Sequence, residues 1–112
     1  MMLTKTTSFT QEEISKLREQ FDTYIKTVID VEKKICSAGC ARHFESEAVL
    51  LGRGSKQHNV WGGGIDVLTK TIDYNSFINV RPIDTNPSSE ILLLDVRKKF
   101  EALMKYFFKE VL

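Results

Sequence analysis

The chain has 112 residues, 42% hydrophobic and 28% charged, and its sixteen basic side chains against fifteen acidic ones leave a formal net charge of +1. One domain of that length buries roughly 65% of the surface its unfolded chain exposes, which is enough for a single core and excludes a wholly disordered chain. The balanced charge supplies no global field for a polyanion, no apolar run approaches the ~18 residues of a membrane span, and MMLTKTTSFT lacks the apolar core of a secretory signal. A single cytoplasmic domain over residues 1–112, without membrane attachment, is therefore expected.

Thr10 followed by Gln11, Glu12 and Glu13 has the form of a capping box, so a helix is expected from Gln11. At 100° steps Ile14, Leu17, Phe21, Tyr24, Ile25, Val28, Ile29, Val31 and Ile35 fall within an arc of roughly 160°, which extends the helix to Ser37 with Gly39 as its stop. A second reading stands beside it: TYIKTVIDV is rich in β-branched and aromatic residues and suits a strand within residues 24–36, with Lys26, Asp30 and Glu32 on one polar face. On the helical reading Glu32 lies in the apolar stripe and needs a partner. Cys36 and Cys40 read as two free thiols of a reducing compartment. The competing C-x3-C-x2-H metal site with His43 lacks a fourth ligand, so no metal is assigned.

RHFESEAVLL, residues 42–51, alternates and reads as a strand with His43, Glu45 and Glu47 on one face. GRGSKQHN, residues 52–59, is a polar loop. VWGGGIDVLTKTIDYNSFINVRP, residues 60–82, reads as two strands joined at Leu68 to Thr71. In its second half Ile72, Tyr74, Ser76, Ile78 and Val80 oppose Asp73, Asn75, Phe77, Asn79 and Arg81. In its first half Trp61, Ile65 and Val67 oppose Val60, Gly62, Gly64 and Asp66. PIDTNPSSE is an irregular connection, and Ile91 to Leu94 form an edge strand or a lid. A last helix is expected from an Asp95 N-cap, with Val96, Phe100, Leu103, Met104, Phe107 and Val111 on its apolar stripe and Phe108 left for a subunit contact.

The expected fold is α+β: a small antiparallel meander of three strands, with a fourth on the strand reading of residues 24–36, packed on a long N-terminal helix and a C-terminal helix. Trp61, Ile65, Tyr74, Ile78 and Val80 of the sheet are expected to meet Ile14, Phe21, Ile25, Phe100 and Phe107.

Several short motifs resemble a family of small uncharacterised bacterial proteins built on a domain of unknown function. They are Val28-x-Asp30-Val31-Glu32; Gly39; His43-x-Glu45-x-Glu47; Gly54-Ser55-x-Gln57; Trp61-Gly62; Ser76-x-Ile78-Asn79-Val80-Arg81-Pro82; and Asn86-x-Ser88-x-Glu90. The resemblance spans Val28 to Arg97 and implies fold and boundaries without an activity. The chain departs from that pattern at Cys40, where a second glycine is common, and at Pro87, where an arginine is common.

On the meander reading His43, Glu45, Glu47, Asn79 and Arg81 flank the bare floor of Gly62 and Gly64, on the sheet face away from the core. First and third strands of a sheet lie about 10 Å apart, a gap suited to a small molecule or bridging ion. These seven residues are the ligand-binding candidates of a binding or regulatory module, for a small anionic ligand or a protein partner; a homodimer is the expected assembly if subunits associate. The alternative is a small metal-dependent or acid–base hydrolase centred on His43, Glu45, Glu47 and Arg81. No P-loop, dinucleotide fingerprint, nucleophile elbow or zinc-protease helix is present, and no cofactor is assigned. Arg42, Arg53, Lys56, His58 and Trp61 make a small basic aromatic patch, but the charge balance argues against nucleic acid.

Overall fold

A computed structural model describes residues 1–112. Five strands, β1 (Leu3–Lys5), β2 (Tyr24–Asp30), β3 (Ile35–Ala38), β4 (Val60–Asp66) and β5 (Thr71–Asp73), form one antiparallel sheet in the order β1-β3-β2-β4-β5. Three α-helices accompany it, α1 (Gln11–Leu17), α2 (His43–Gly52) and α3 (Leu94–Phe107). The fold is α+β as expected, with more strands and a shorter first helix. No helix is long and apolar enough to cross a membrane.

The capping box is present: Thr10 Oγ1 accepts the Glu13 amide, and Glu13 Oε1 accepts the Thr10 amide. The helix nevertheless stops after Leu17, and residues 24–30 and 35–38 form strands, so the long helix to Ser37 is corrected. In YIKTVID the β-branched side chains favour extended backbone, and the sheet buries them from both sides. Ile25 and Ile29 enter the main core, and Val28 enters a smaller cluster on the other face. Asp30 Oδ1 accepts the amides of Glu32 and Lys33, and Lys34 takes φ +58° to close the hairpin into β3. The β4–β5 hairpin repeats this device, with Asp66 Oδ1 accepting the Leu68 and Thr69 amides and Lys70 at φ +58°. Glu32 therefore lies on an exposed turn, where it pairs with Lys99 at 2.8 Å.

Topology decides which face each helix covers. β1 and β2 are parallel with β3 between them, and β3 and β4 are parallel with β2 between them. The two crossovers start from oppositely directed strands and step the same way along the sheet. A common right-handed preference sends α1 and α2 to opposite faces. On one face Ile14, Leu17, Phe100, Met104 and Phe107 pack on Ile25, Ile29, Trp61 and Ile65, all buried; burying a side chain of this kind contributes about 1.5–3 kcal/mol. On the other, Leu50 of α2 packs on Val28 and Val60.

The expected core is correct at Ile14, Ile25, Trp61, Ile65, Phe100 and Phe107, with Tyr74 half-buried against it. Ile78 joins the smaller cluster on the opposite face, and Phe21 and Val80 are exposed. Phe108 is fully buried, its ring centroid 5.1 Å from that of Phe9, so it offers no subunit contact. The final helix begins at Leu94 with Leu93 as its N-cap, ahead of the expected Asp95.

Candidate functional site

The strand expected for residues 42–51 is helix α2, whose Glu45 Oε1 accepts the Arg42 amide at 2.8 Å. With α2 lying on it, the second sheet face is covered rather than open. The strand expected through Arg81 also ends early, at Asp73, and residues 77–79 and 82–84 form single 3₁₀ turns. Their alternation is incidental: Asn79 is buried, while its neighbour Phe77 is 91% exposed.

Where β5 leaves β4, the Asn79 side chain takes over the ladder. Its Oδ1 accepts the Gly62 amide and its Nδ2 donates to the Gly62 carbonyl, each at 2.8 Å, so a carboxamide replaces the missing strand residue. Asn79 Nδ2 also reaches the carbonyls of Tyr74 and Ser89. Asn86 secures the next stretch through the carbonyls of Asn79, Ser88 and Glu90 and the Leu92 amide. Arg81 donates from Nε to Ile78 O, from Nη1 to Gln57 O and from Nη2 to Val60 O, and its guanidinium lies 4.4 Å from the Trp61 ring centroid. Glu47, 4.0 Å from Arg81, accepts from Gln57 at 2.7 Å. Arg81, Asn79 and Asn86 thus form a clamp holding residues 74–92 onto β4.

The glycine floor is filled as well. A Cβ on Gly62 would stand 2.7 Å from Ser76 Cβ, and one on Gly64 would collide with the Tyr24 hydroxyl and ring. No group of three or more His, Cys, Asp or Glu side chains is arranged to hold a metal ion. Cys36 and Cys40 are buried free thiols, each raised above the ordinary thiol range by burial. Trp61, 1% exposed, presents no stacking surface.

His43 lies apart from the clamp. Its Nε2–H donates to Gly63 O at 2.7 Å, which fixes the tautomer and leaves Nδ1 as the lone-pair nitrogen, without a partner in the chain. Burial holds the imidazole below its ordinary value of 6.5, with Lys26 acting in the same direction, so the ring is neutral at pH 7. His43 stands between two adjoining clefts of about 330 and 360 Å³ that share Lys26, His43, Ser76 and Phe77. The first is completed by Tyr24, Asp73, Asn75 and Ser89, the second by Arg42, Phe44 and Ile78. Tyr24 Oη donates to Asp73 Oδ2 at 2.7 Å, and its phenol is raised well above its ordinary range by burial and then by that bond. Lys26 Nζ donates to Ala41 O at 2.9 Å, lies 5.1 Å from the Phe21 ring centroid and makes no ion pair. Arg42 is exposed and makes no ion pair.

With this geometry in place, comparison with protein families matches residues 3–107 to the family described as Protein of unknown function (DUF5674). The chain belongs to this family. No curated protein and no solved structure matches. The match is consistent with the expected uncharacterised family, and family membership brings no activity with it. Of the seven sequence candidates, His43 alone lines the clefts; Asn79, Arg81 and Glu47 belong to the clamp, Glu45 caps α2, and Gly62 and Gly64 receive neighbouring side chains. Sequence reasoning missed Tyr24, Arg42, Phe44, Asp73 and Phe77 as cleft residues. Lys26 carried a signal, as the cation on the polar side of the strand reading of residues 24–36.

Proposed function

We propose that the chain is a binding or regulatory module that takes a small anionic ligand in the paired clefts around Lys26, Arg42 and His43. One observation carries the reading: Lys26 and Arg42, neither in an ion pair, line a cleft to which no carboxylate contributes. Cations left unpaired beside a concave surface attract an anion, and Arg42 suits the forked geometry of carboxylate or phosphate. A volume of several hundred Å³ fits a small molecule better than a macromolecular surface. The two buried free thiols support a reducing, cytoplasmic setting.

The acid–base alternative has one observation in its favour, the lone pair of His43 Nδ1 beside the clefts. Glu47 and Arg81, which the hydrolase reading requires beside it, are engaged in the clamp, so binding is the better supported reading. Thermal melting with inorganic pyrophosphate tests it. A ligand that binds only the folded state at a hundred times its Kd stabilises by about 2.7 kcal/mol, and the Tm increment should shrink in Arg42→Ala, whose own stability matches the parent. No increment at millimolar pyrophosphate, or one that survives Arg42→Ala unchanged, contradicts the reading.

A further inference from the structure

We infer that the ligand is a nucleoside monophosphate, with its base on Phe77 and Phe44, its phosphate at Lys26 and Arg42, and its sugar hydroxyls at Asp73 and Asn75. This rests on the anion-binding reading above and names the class of anion.

The two clefts differ in chemistry. In the one that contains Arg42, two exposed aromatic rings accompany the two cations: Phe77 is 91% exposed and Phe44 56%. The backbone that carries Phe77 is held, because Ser76 Oγ accepts the Ile78 amide and the Asn79 and Val80 amides close the turn onto Ser76 O and Phe77 O. An exposed aromatic ring carried on a closed turn next to unpaired cations is a stacking platform for a flat anionic molecule. The other cleft offers hydroxyl, carboxamide and carboxylate groups. Asp73 is oriented from both sides, Oδ2 by the Tyr24 hydroxyl and Oδ1 by the backbone and side-chain N–H groups of Asn75. With Oδ1 taken up by two donors, the lone pair left on Oδ2 can accept from one ribose hydroxyl, and the Asn75 carboxamide lies beside it for the next. Base, phosphate and sugar are the three chemistries of one nucleotide, and clefts of 330 and 360 Å³ side by side suit a single unit. The chain's formal charge of +1 favours a free nucleotide over a strand, which needs a longer basic track.

Isothermal titration of the full chain with adenosine monophosphate, ribose 5-phosphate, adenosine and a triadenylate tests this. The monophosphate should bind at least about tenfold more tightly than ribose 5-phosphate, the increment expected for stacking one base, and more tightly than adenosine by a similar factor. Phe77→Ala should reduce it to the affinity of ribose 5-phosphate with an unchanged Tm. Ile83→Ala, equally exposed but outside both clefts, should bind as the parent does. Ribose 5-phosphate matching the monophosphate, or full affinity retained in Phe77→Ala, overturns the nucleotide assignment and leaves the anion site standing. Adenosine matching the monophosphate, or no binding by any probe, overturns both. A triadenylate more than tenfold tighter than the monophosphate overturns the single-unit claim.

Discussion

Arg81 and Arg42 are used in opposite ways. Arg81 is 7% exposed, gives each of its three nitrogens to a backbone carbonyl and lies against the Trp61 ring; Arg42 is exposed at the start of α2, and its side chain makes no ion pair. The same contrast separates the clamp as a whole from the clefts. In the clamp Asn79 and Asn86 are buried and every polar atom of their side chains meets a backbone partner. Around the clefts His43 keeps one ring nitrogen unpartnered, and Phe77 is left in water. Polar groups satisfied within a chain hold it in shape, whereas polar groups and aromatics left unsatisfied beside a concavity are available to something else.

The contrast breaks first at the clamp. Arg81→Ala leaves three carbonyls without their donor and should cost roughly 3–4 kcal/mol by urea unfolding; a cost under about 1 kcal/mol would place Arg81 among the solvated groups and dissolve the distinction. Gly64→Ala comes next, since a Cβ there meets the Tyr24 ring and stands 2.7 Å from Ile25 O. Overpacking of this kind costs about 1–3 kcal/mol, and displacing Tyr24 should also lower pyrophosphate affinity, which titration would report. His43→Gln should cost about 1 kcal/mol for the bond to Gly63, and it also changes the pH profile. Burial lowers the folded-state pKa of His43 below its unfolded value of about 6.5, so the unfolded chain takes up the proton first. Stability from this group is fully present above pH 6.5 and falls as pH drops from there through the folded-state pKa. Subtracting the His43→Gln profile from the parent profile should leave that slope, and a flat difference would contradict it. Phe77→Ala has the smallest expected effect, within about 0.5 kcal/mol of the parent, which sharpens the contrast because its loss should be felt in ligand affinity alone.

Particular residues show how far the sequence could be read. The capping box at Thr10, the turn after Asp66, the apolar stripe of α3 and the buried Trp61 and Ile65 were legible because each depends on neighbours within a few positions. Residues 24–38 were ambiguous because a dense β-branched run satisfies helical and strand spacing at once, and only pairing of Ile25 with Ile65 and Ile29 with Trp61 decides it. HFESEAVL misled for a related reason: α2 buries only Ser46 and Leu50 fully, too narrow a stripe to outweigh an apparent alternation. The candidate site was the least legible part. Asn79 and Arg81 look like free polar groups on a strand, and their roles depend on carbonyls of Gln57, Val60 and Gly62 that no local pattern reveals. Lys26, Arg42 and Phe77 meet only because α2 crosses to the face opposite α1.

Backbone amide chemical shifts followed during titration of the ¹⁵N-labelled chain with adenosine monophosphate compare the two regions in one measurement. Saturable shifts at Lys26, His43, Phe44, Asn75 and Phe77, with Asn79, Asn86 and Leu92 unmoved, are the predicted result. Shifts concentrated on Asn79, Asn86 and Leu92, or none at millimolar ligand, would contradict the assignment of structure to the clamp and binding to the clefts.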